Sequence, residues 1–473
     1  ENAYVKYDKN GLVTGYNKER YFLRFNKDSA ESPDLSGINY IAPYAFSGYA
    51  LKSVNLNVSS LIEIYEGAFT GCPNLTGISL PFINKKTGLS SNEDYLIHRM
   101  FGKEYFAGST KISCYIDSSS LRDYYVPSTL KNVSICGGVV GNNALKDINS
   151  LNNLSFISVT SIASSALSGV SRLKSIYFNY DTMSDFSPYN SPFGGNKLLG
   201  TDVEVTFGPD VTYIPRYMFR GNSSITRVNL KSSKCGKIGY GAFENCPVYQ
   251  LYLPTENYVT IEKLNGSLKG TLPNENIIEI ASFKDENQPN LDYLKQYSVN
   301  NYRKPEAYWT FESIIKTTED GFVYAQTKEG AEKELSLLIS YVGDAEEVVV
   351  PESLNNREYT LRRRVFAGTR VNKVIFPETF TSIPVEAFSD STIETIEFGP
   401  SIVRIEEGAF NNCADLKNVN YTGTIADWCN IEFGYEWRNH GNPLSRAENF
   451  IVGGERISDL VIPEGVEKIN HFA

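Results

Sequence analysis

A mainly β repeat solenoid is the fold class this sequence predicts, and three observations predict it. One phrase recurs almost verbatim, as "IYEGAFTGCPNLTGISL" from Ile64 to Leu80, "IGYGAFENCPVYQLYL" from Ile238 to Leu253 and "IEEGAFNNCADLKNVNY" from Ile405 to Tyr421. Its spacing is regular: Phe46 to Phe69 spans 23 residues, Phe219 to Phe243 spans 24, and Phe366, Phe388 and Phe410 follow one another at 22. Its two anchors, I-x-x-x-A-F and L-x-x-[IV]-x-[LFIY], keep their order. A period of 20–29 residues with these anchors is that of leucine-rich repeats with stacked short parallel strands.

Each anchor has a physical reading. In "LKNVNY", Val419 and Tyr421 lie two apart and share one strand face, with Leu416 at the turn into the strand. In "IEEGAF", Phe410 fills the far side of the coil and Ala409 marks a bend with little room. Gly67, Gly241 and Gly408 precede that Ala, as expected where backbone angles are unusual. Pro81, Pro254, Pro377 and Pro463 are read as closing strands, including one in "ISDLVIP" at Ile457. The copy "IASSAL" at 162–167 is degenerate.

The phrases "IEEGAFNNCADLKNVNYTG", "VPESLNNREYTLRRRVFAG" and "DLVIPEGVEKIN" resemble the BspA-like leucine-rich repeat family. The resemblance covers about 30–254 and 341–473. It implies a secreted or surface-attached bacterial protein of adhesive type, and it carries over no catalytic residues.

The organisation follows from where the phrase is legible. Residues 1–29 are expected to cap the open end of the stack. A first array occupies 30–254, with insertions at 82–125 and 181–200. The first insertion should hold a short helix near Asp94–Met100; the second reads as a loop from its Pro, Gly and Ser. Residues 255–340 form a connector or small inserted unit. Within it "NLDYLKQYSVNNY" and "EAYWTFESIIKTT" suggest helices, and Phe322–Gln326 and Leu335–Gly343 read as strands. A second array runs over 341–473, with an insertion at 422–455 expected to hold one or two short helices. It stops in mid-phrase, and the start "ENAYVKYDKN" reads as a trimmed end.

The net charge of −10 argues against nucleic acid or an anionic membrane as partner. No apolar run is long enough to span a bilayer. The seven cysteines include no C-x-x-C, and Cys72, Cys246 and Cys413 recur three residues after a Phe. They read as buried small hydrophobes, not as a metal site or a disulfide framework. No cofactor, metal or catalytic residue is indicated. No P-loop is present, and His98, His440 and His471 are dispersed. Glu346, Glu347, Glu386, Glu406 and Glu407 read as solvated loop charges. Arg362–Arg364 read as a solvated face beside a buried Phe366, the alternative being a site for an acidic partner.

Aromatic residues are the candidates for surface binding. Tyr435 and Trp437 sit in the 422–455 insertion, where Trp428 is expected to pin the segment to the stack. Tyr308 and Trp309 form a second candidate. The expected function is a non-enzymatic extracellular or cell-surface module, monomeric, that binds a protein or glycan on a host or neighbouring cell. A structural spacer, or a carbohydrate-active unit hidden in 255–340, are the rival readings.

Overall fold

The computed structural model describes residues 4–7, 11–16, 19–25, 33–81, 95–115, 120–194, 199–200, 202–244, 246–254, 259–262, 279–281, 314–326, 336–436 and 439–470. The chain divides into two units, Glu1–Gln296 and Tyr297–Ala473. Both are built from coils that place strands in a broad sheet, and many of these coils add a two-residue strand to a narrow one.

In the first unit the broad sheet runs from Ser53–Asn55 through Gly77–Leu80, Asn132–Val140, Asn153–Ile162, Ser175–Asn179, Val203–Phe207, Ile225–Asn229 and Gln250–Tyr252 to Glu279–Ala281. Every pairing in it is parallel. In the second unit Glu347–Val349, Lys373–Ile375, Thr395–Phe398, Asn418–Tyr421 and Asn449–Val452 repeat the arrangement. The narrow sheets use the Ile of I-x-x-x-A-F: Ile41 pairs with Ile64, Ile214 with Ile238, and Ile383 with Ile405. In strands such as Gly77–Leu80, Ser175–Asn179 and Asn418–Tyr421 one face is apolar and shut inside, as the period-2 reading requires.

The phenylalanines form rows along each stack. Phe22, Phe46 and Phe69 stack at 5.1 and 4.5 Å, Phe219 on Phe243 at 5.4 Å, and Phe366, Phe388 and Phe410 at 5.2 Å, with interplanar angles of 4° and 6° in the last row. All are buried. The ring spacing follows the strand spacing of about 4.8 Å, so a ring from one coil roofs the ring of the next. The backbone is laddered at the same place: Phe46 N donates to Ala68 O, Phe366 N to Ala387 O and Phe388 N to Ala409 O, each at 2.8 Å.

Left-handed residues flank the corner Phe residues of the repeat phrase. Two positions before the Phe stand Tyr44, Gly67, Tyr217, Gly241, Arg364, Glu386 and Gly408, with φ between 51° and 75°. Two positions after it stand Gly48, Gly71, Gly221, Gly368, Asp390 and Asn412, with φ between 56° and 77°. The glycines are therefore required by the corner geometry, as their recurrence suggested. The non-glycine members are the surprise, since each costs about 1–2 kcal/mol of backbone strain. The tyrosines among them lie along the stack over the next coil: the Tyr217 ring sits close to where a Cβ on Gly241 would fall, 2.6 Å away, whereas Glu386 reaches back to the preceding coil.

The cysteines do more than fill space. Cys72 Sγ donates to Phe46 O, Cys246 Sγ to Phe219 O and Cys413 Sγ to Phe388 O, each at 3.0 Å. Tyr49 Oη reaches Phe25 O at 2.9 Å and Asn222 Nδ2 reaches Phe193 O at 2.5 Å from the same repeat position. This position adds a side-chain donor from the next coil to the carbonyl; Phe46 O, Phe219 O and Phe388 O also accept from Tyr49 N, Asn222 N and Ser391 N of their own coils. None of the seven cysteines is in a disulfide.

The first described strands of the two units are arranged alike. Tyr4–Tyr7, Gly11–Tyr16 and Glu19–Phe25 form an antiparallel ribbon whose third strand pairs in parallel with Tyr40–Ile41. Ile314–Thr317, Phe322–Gln326 and Ser336–Tyr341 do the same against Thr360–Leu361. Phe25 N donates to Ala45 O, and Tyr341 N correspondingly to Val365 O. The strand expected at Leu335–Gly343 is therefore present as Ser336–Tyr341, and Phe322–Gln326 forms as read. The helix expected in "EAYWTFESIIKTT" is corrected in its last part: Ile314–Thr317 is a strand, because it pairs with the Phe322–Gln326 edge. The rest of that segment, "NLDYLKQYSVNNY" and residues 82–94 lie outside the described residues.

Other expectations need amendment. The first insertion holds its helix at Leu96–Phe101, and Met100 and Phe101 take the place of an Ala-Phe pair, with Phe69 N donating to Met100 O at 2.8 Å. The 181–200 loop contributes a buried Phe193, which meets Phe178, Phe156 and Phe219 at 5.3, 5.9 and 5.5 Å. Ala144–Leu145 and Ala166–Leu167 are coil corners in which Leu stands for Phe. "ISDLVIP" forms no strand, and Leu460, Val461 and Ile462 are exposed. Gly453 and Gly454, both at positive φ, turn the chain back so that Glu455–Arg456 occupies the edge of Asn449–Val452 in antiparallel fashion.

Two substitutions test this architecture. Phe388→Ala opens a cavity between two stacked rings and is expected to cost about 3–5 kcal/mol in urea unfolding; a loss under about 1 kcal/mol would show that the row does not hold the coils. Gly48 has nothing within 4 Å of a built Cβ. Gly48→Ala should therefore cost only the left-handed backbone term, about 1 kcal/mol, in the same assay.

Candidate functional site

Three insertions break the repeats, and each departs after a broad-sheet strand: after Gly77–Leu80, Ser175–Asn179 and Asn418–Tyr421. At the first insertion the backbone ladder continues through Phe69 N and Met100 O, while Phe101 meets Phe69 edge-on at 6.4 Å instead of stacking on it. The third insertion carries the aromatic candidates. Thr424 caps the helix Ile425–Cys429: its hydroxyl accepts from Asp427 N at 3.2 Å, while the Asp427 carboxylate accepts from Thr424 N at 2.9 Å. Hydrogen bonds from Thr424 hold the Asp427 carboxyl below its ordinary range.

The helix delivers Trp428 inward. It is 3% exposed, and its ring meets those of Phe450, Tyr421, Phe433 and Phe398 at 4.6, 5.2, 5.7 and 5.9 Å. Trp428 therefore pins the insertion, as the sequence suggests. Beyond it a hairpin pairs Tyr435 with His440 and Glu436 with Asn439. Its base is pressed against the preceding coil: a Cβ on Gly434 would fall 2.4 Å from Glu407 N, and one on Gly441 2.4 Å from Ile405 O. Tyr435 projects from this anchored base and is 56% exposed. Trp437, Tyr308 and Trp309 lie outside the described residues, as does the side chain of His440.

The broad-sheet face of the first unit is polar and small over its first strands, and larger further on, at Tyr177, Arg227 and Tyr252. Ser53, Asn55, Ser79, Asn132, Ser134 and Asn153 point outward from it. A side-chain ladder runs across them: Asn153 donates to Asn132 Oδ1 and Ser175 to Asn153 Oδ1, both at 2.7 Å. The second unit repeats it, with Asn449 donating to Asn418 at 2.8 Å. Larger exposed aromatics that the repeat pattern does not single out stand at Tyr105, Tyr115 and Tyr189, the last 89% exposed. Tyr115 and Leu121 flank the turn of a hairpin, Ser109–Tyr115 with Leu121–Pro127. Its signal, the alternation in "KISCY" and "RDYYVP", is visible in the sequence.

The charged run at Arg362–Arg364 lies beside the buried Phe366, with Arg363 exposed and Arg364 half-buried, and two of its members are paired. Arg364 Nη1 and Arg363 Nη2 both reach Glu386 Oε2, at 2.8 and 3.1 Å. Burial alone would raise the Glu386 carboxyl, but the Arg364 and Arg363 guanidiniums outweigh it and hold the group below its usual range. Glu386 is thus no free loop charge, because its left-handed corner backbone lays it against the preceding coil.

His98, a candidate for acid–base work by residue type, is fully buried between Tyr95 and Tyr124. Its Nε2 lies 2.7 Å from Lys146 O, which assigns the proton to Nε2 and leaves Nδ1 without a partner. Burial pushes its pKa down to about 4. Burial likewise raises the Cys72 and Cys413 thiols to about 11 and Cys235 to about 12. Among the described residues no group of three His, Cys, Asp or Glu side chains is placed to hold a metal ion, and no helix is long and apolar enough to cross a membrane.

The pattern described as a BspA type leucine rich repeat region matches residues 21–134, 138–264 and 344–436, in six copies. No curated protein matches the sequence. Among solved structures the chain is similar to a leucine rich cell surface protein from Faecalibacterium prausnitzii, at 13% identity and a TM-score of 0.21, over 91% of this chain and 98% of that one. It is also similar to the pneumococcal vaccine antigen PcpA, at 10% identity and a TM-score of 0.22, over 95% and 98%. Superpositions this loose say nothing about function.

His98 predicts a pH response. The unfolded chain takes up a proton at its His near pH 6.5, the folded chain near 4, so the unfolded state binds more protons between them. Stability should fall as pH drops through that window, by up to ~3 kcal/mol. His98→Gln should remove this part of the slope in denaturant titrations at pH 7, 5.5 and 4; an unchanged slope would mean that His98 ionises freely.

Proposed function

Since the chain belongs to the family of BspA-type leucine-rich repeat proteins, whose repeats cover more than half of it, we propose that it is a non-enzymatic interaction module acting outside the cell or at its surface. It holds a protein or glycan of a host or neighbouring cell by multi-point contact. Exposed strand positions supply the wide polar platform, and the insertion loops supply the anchors. Tyr435 and Trp437 are the first anchor pair and Tyr308 with Trp309 the second.

One observation carries the reading. Tyr435 stands exposed on a hairpin whose base is fixed by Gly434, Gly441 and the buried Trp428. An aromatic ring on a rigid support binds at low entropic cost, because little is left to order. Nothing in the core requires that ring to face solvent.

The test is a panel of extracellular matrix proteins and a glycan array. At least one member should be bound by the wild-type chain. Tyr435→Ala and Trp437→Ala should weaken that binding by about tenfold or more while leaving thermal unfolding unchanged. Failure to bind any member would favour a spacer, and binding indifferent to both substitutions would remove this hairpin as the anchor.

A further inference from the structure

A cleft of about 220 Å³ lies in the first unit between the Ser109–Tyr115/Leu121–Pro127 hairpin and the coil corners that follow it. Its apolar side is Ile112, Val126 and Pro127. Hydroxyls and an amide rim it, from Thr110, Ser128, Ser150 and Asn149. Lys131 and Arg172 also line it. The carboxylate in the lining, Asp147, is already paired with Lys146 Nζ at 3.0 Å. Neither Lys131 nor Arg172 forms an ion pair with a described carboxylate, in a chain of net charge −10.

The walls are fixed before anything binds. Lys146 Nζ donates to Ser113 O at 3.1 Å, tying the hairpin to the coil. Ser128 N donates to Gly108 O at 2.8 Å and Thr129 Oγ1 to Pro73 O at 2.7 Å, closing the hairpin onto the stack. Thr110 and Ser128 hydroxyls pair at 2.8 Å on the rim. The backbone carbonyl of Lys131 accepts from both Asn152 N and Asn153 N, which sets the base of its side chain.

We propose that this cleft binds a sugar ring bearing one carboxylate. Two unopposed cations in one cleft repel each other, and an anion between them relieves that cost. A bare inorganic anion would leave the apolar side unused. A pyranose ring has an apolar C–H face and hydroxyl edges, matching both the apolar side and the hydroxyl rim, and the volume holds one ring but not an extended chain. Uronic and sialic acids share this chemistry. The site rests on the reading of the chain as a binder of surface partners and gives that reading one ligand class.

The experiment uses the whole chain and ligand-observed NMR with D-glucuronate and N-acetylneuraminate, against D-glucose and acetate. One or both acidic sugars should bind saturably with a Kd on the order of a millimolar, the scale for a single ring. Glucose and acetate should bind at least about tenfold more weakly. Which acid binds separates the uronate from the sialate source. Lys131→Gln with Arg172→Gln should weaken binding about tenfold or more; Arg172→Gln alone, at an exposed side chain, serves if the double variant does not fold. No binding of either acid, acetate equal to the acids, or binding untouched by the substitutions would overturn the site. If neither acid binds while the chain still binds matrix proteins or whole glycans, this inference fails and the surface-binding reading stands.

Discussion

No coil of this protein can bury its own interior. A 22-residue turn of chain has too little apolar volume to close around itself, so each coil borrows a wall from the next. The Phe row is where that dependence is most concentrated. Each ring is covered by a ring one strand spacing away, and the backbone at the same corner is laddered to its neighbour. The side-chain row and the main-chain ladder share one repeat distance, which is why spacing in the sequence is held so tightly wherever a Phe is present.

That constraint explains which corners can vary. The left-handed positions on either side of the Phe are forced by the turn, whether or not a glycine fills them. Where a tyrosine stands there, its side chain is laid along the stack and the following coil answers with glycine, as at Tyr44 and Gly67 or Tyr217 and Gly241. The strain is thus offset by contact with the next coil. Insertions avoid these corners and leave after broad-sheet strands, where an excursion costs mainly loop-closure entropy. The result is a conserved-geometry frame carrying irregular loops, and the loops hold the exposed aromatics.

Much of the frame was legible because its chemistry repeats. Phe46, Phe69, Phe243, Phe388 and Phe410 stand out at constant spacing, and all are inside. What was hidden had changed its letters while keeping its role. Leu145 and Leu167 fill the Phe site, Phe101 arrives on a helix, and Phe193 comes from a loop that composition marks as irregular. The opposite error arose at "ISDLVIP", whose letters fit a strand but whose pairing edge is taken by Glu455–Arg456. The functional surface is less legible for a physical reason: outward positions face water and obey no packing rule. Trp428 could be read because it must be buried for the insertion to attach. Tyr435 was a matter of residue type alone, and the cleft beside Lys131 depends on two segments brought together only by folding.

The thiols that cap the carbonyls of the Phe row have a chemical consequence. At neutral pH a thiol with a pKa of about 11 is ionised in only about one molecule in ten thousand, and the thiolate is the species that attacks disulfides and reacts with oxidants. Cys72 and Cys413 are in addition sealed from solvent and spend their proton on a neighbouring carbonyl. Oxidative damage at these sites must wait for a coil to open. The rate at which such a protein ages in an oxidising medium is therefore set by the breathing of its stack, and thiol labelling under native conditions becomes a clock for that motion.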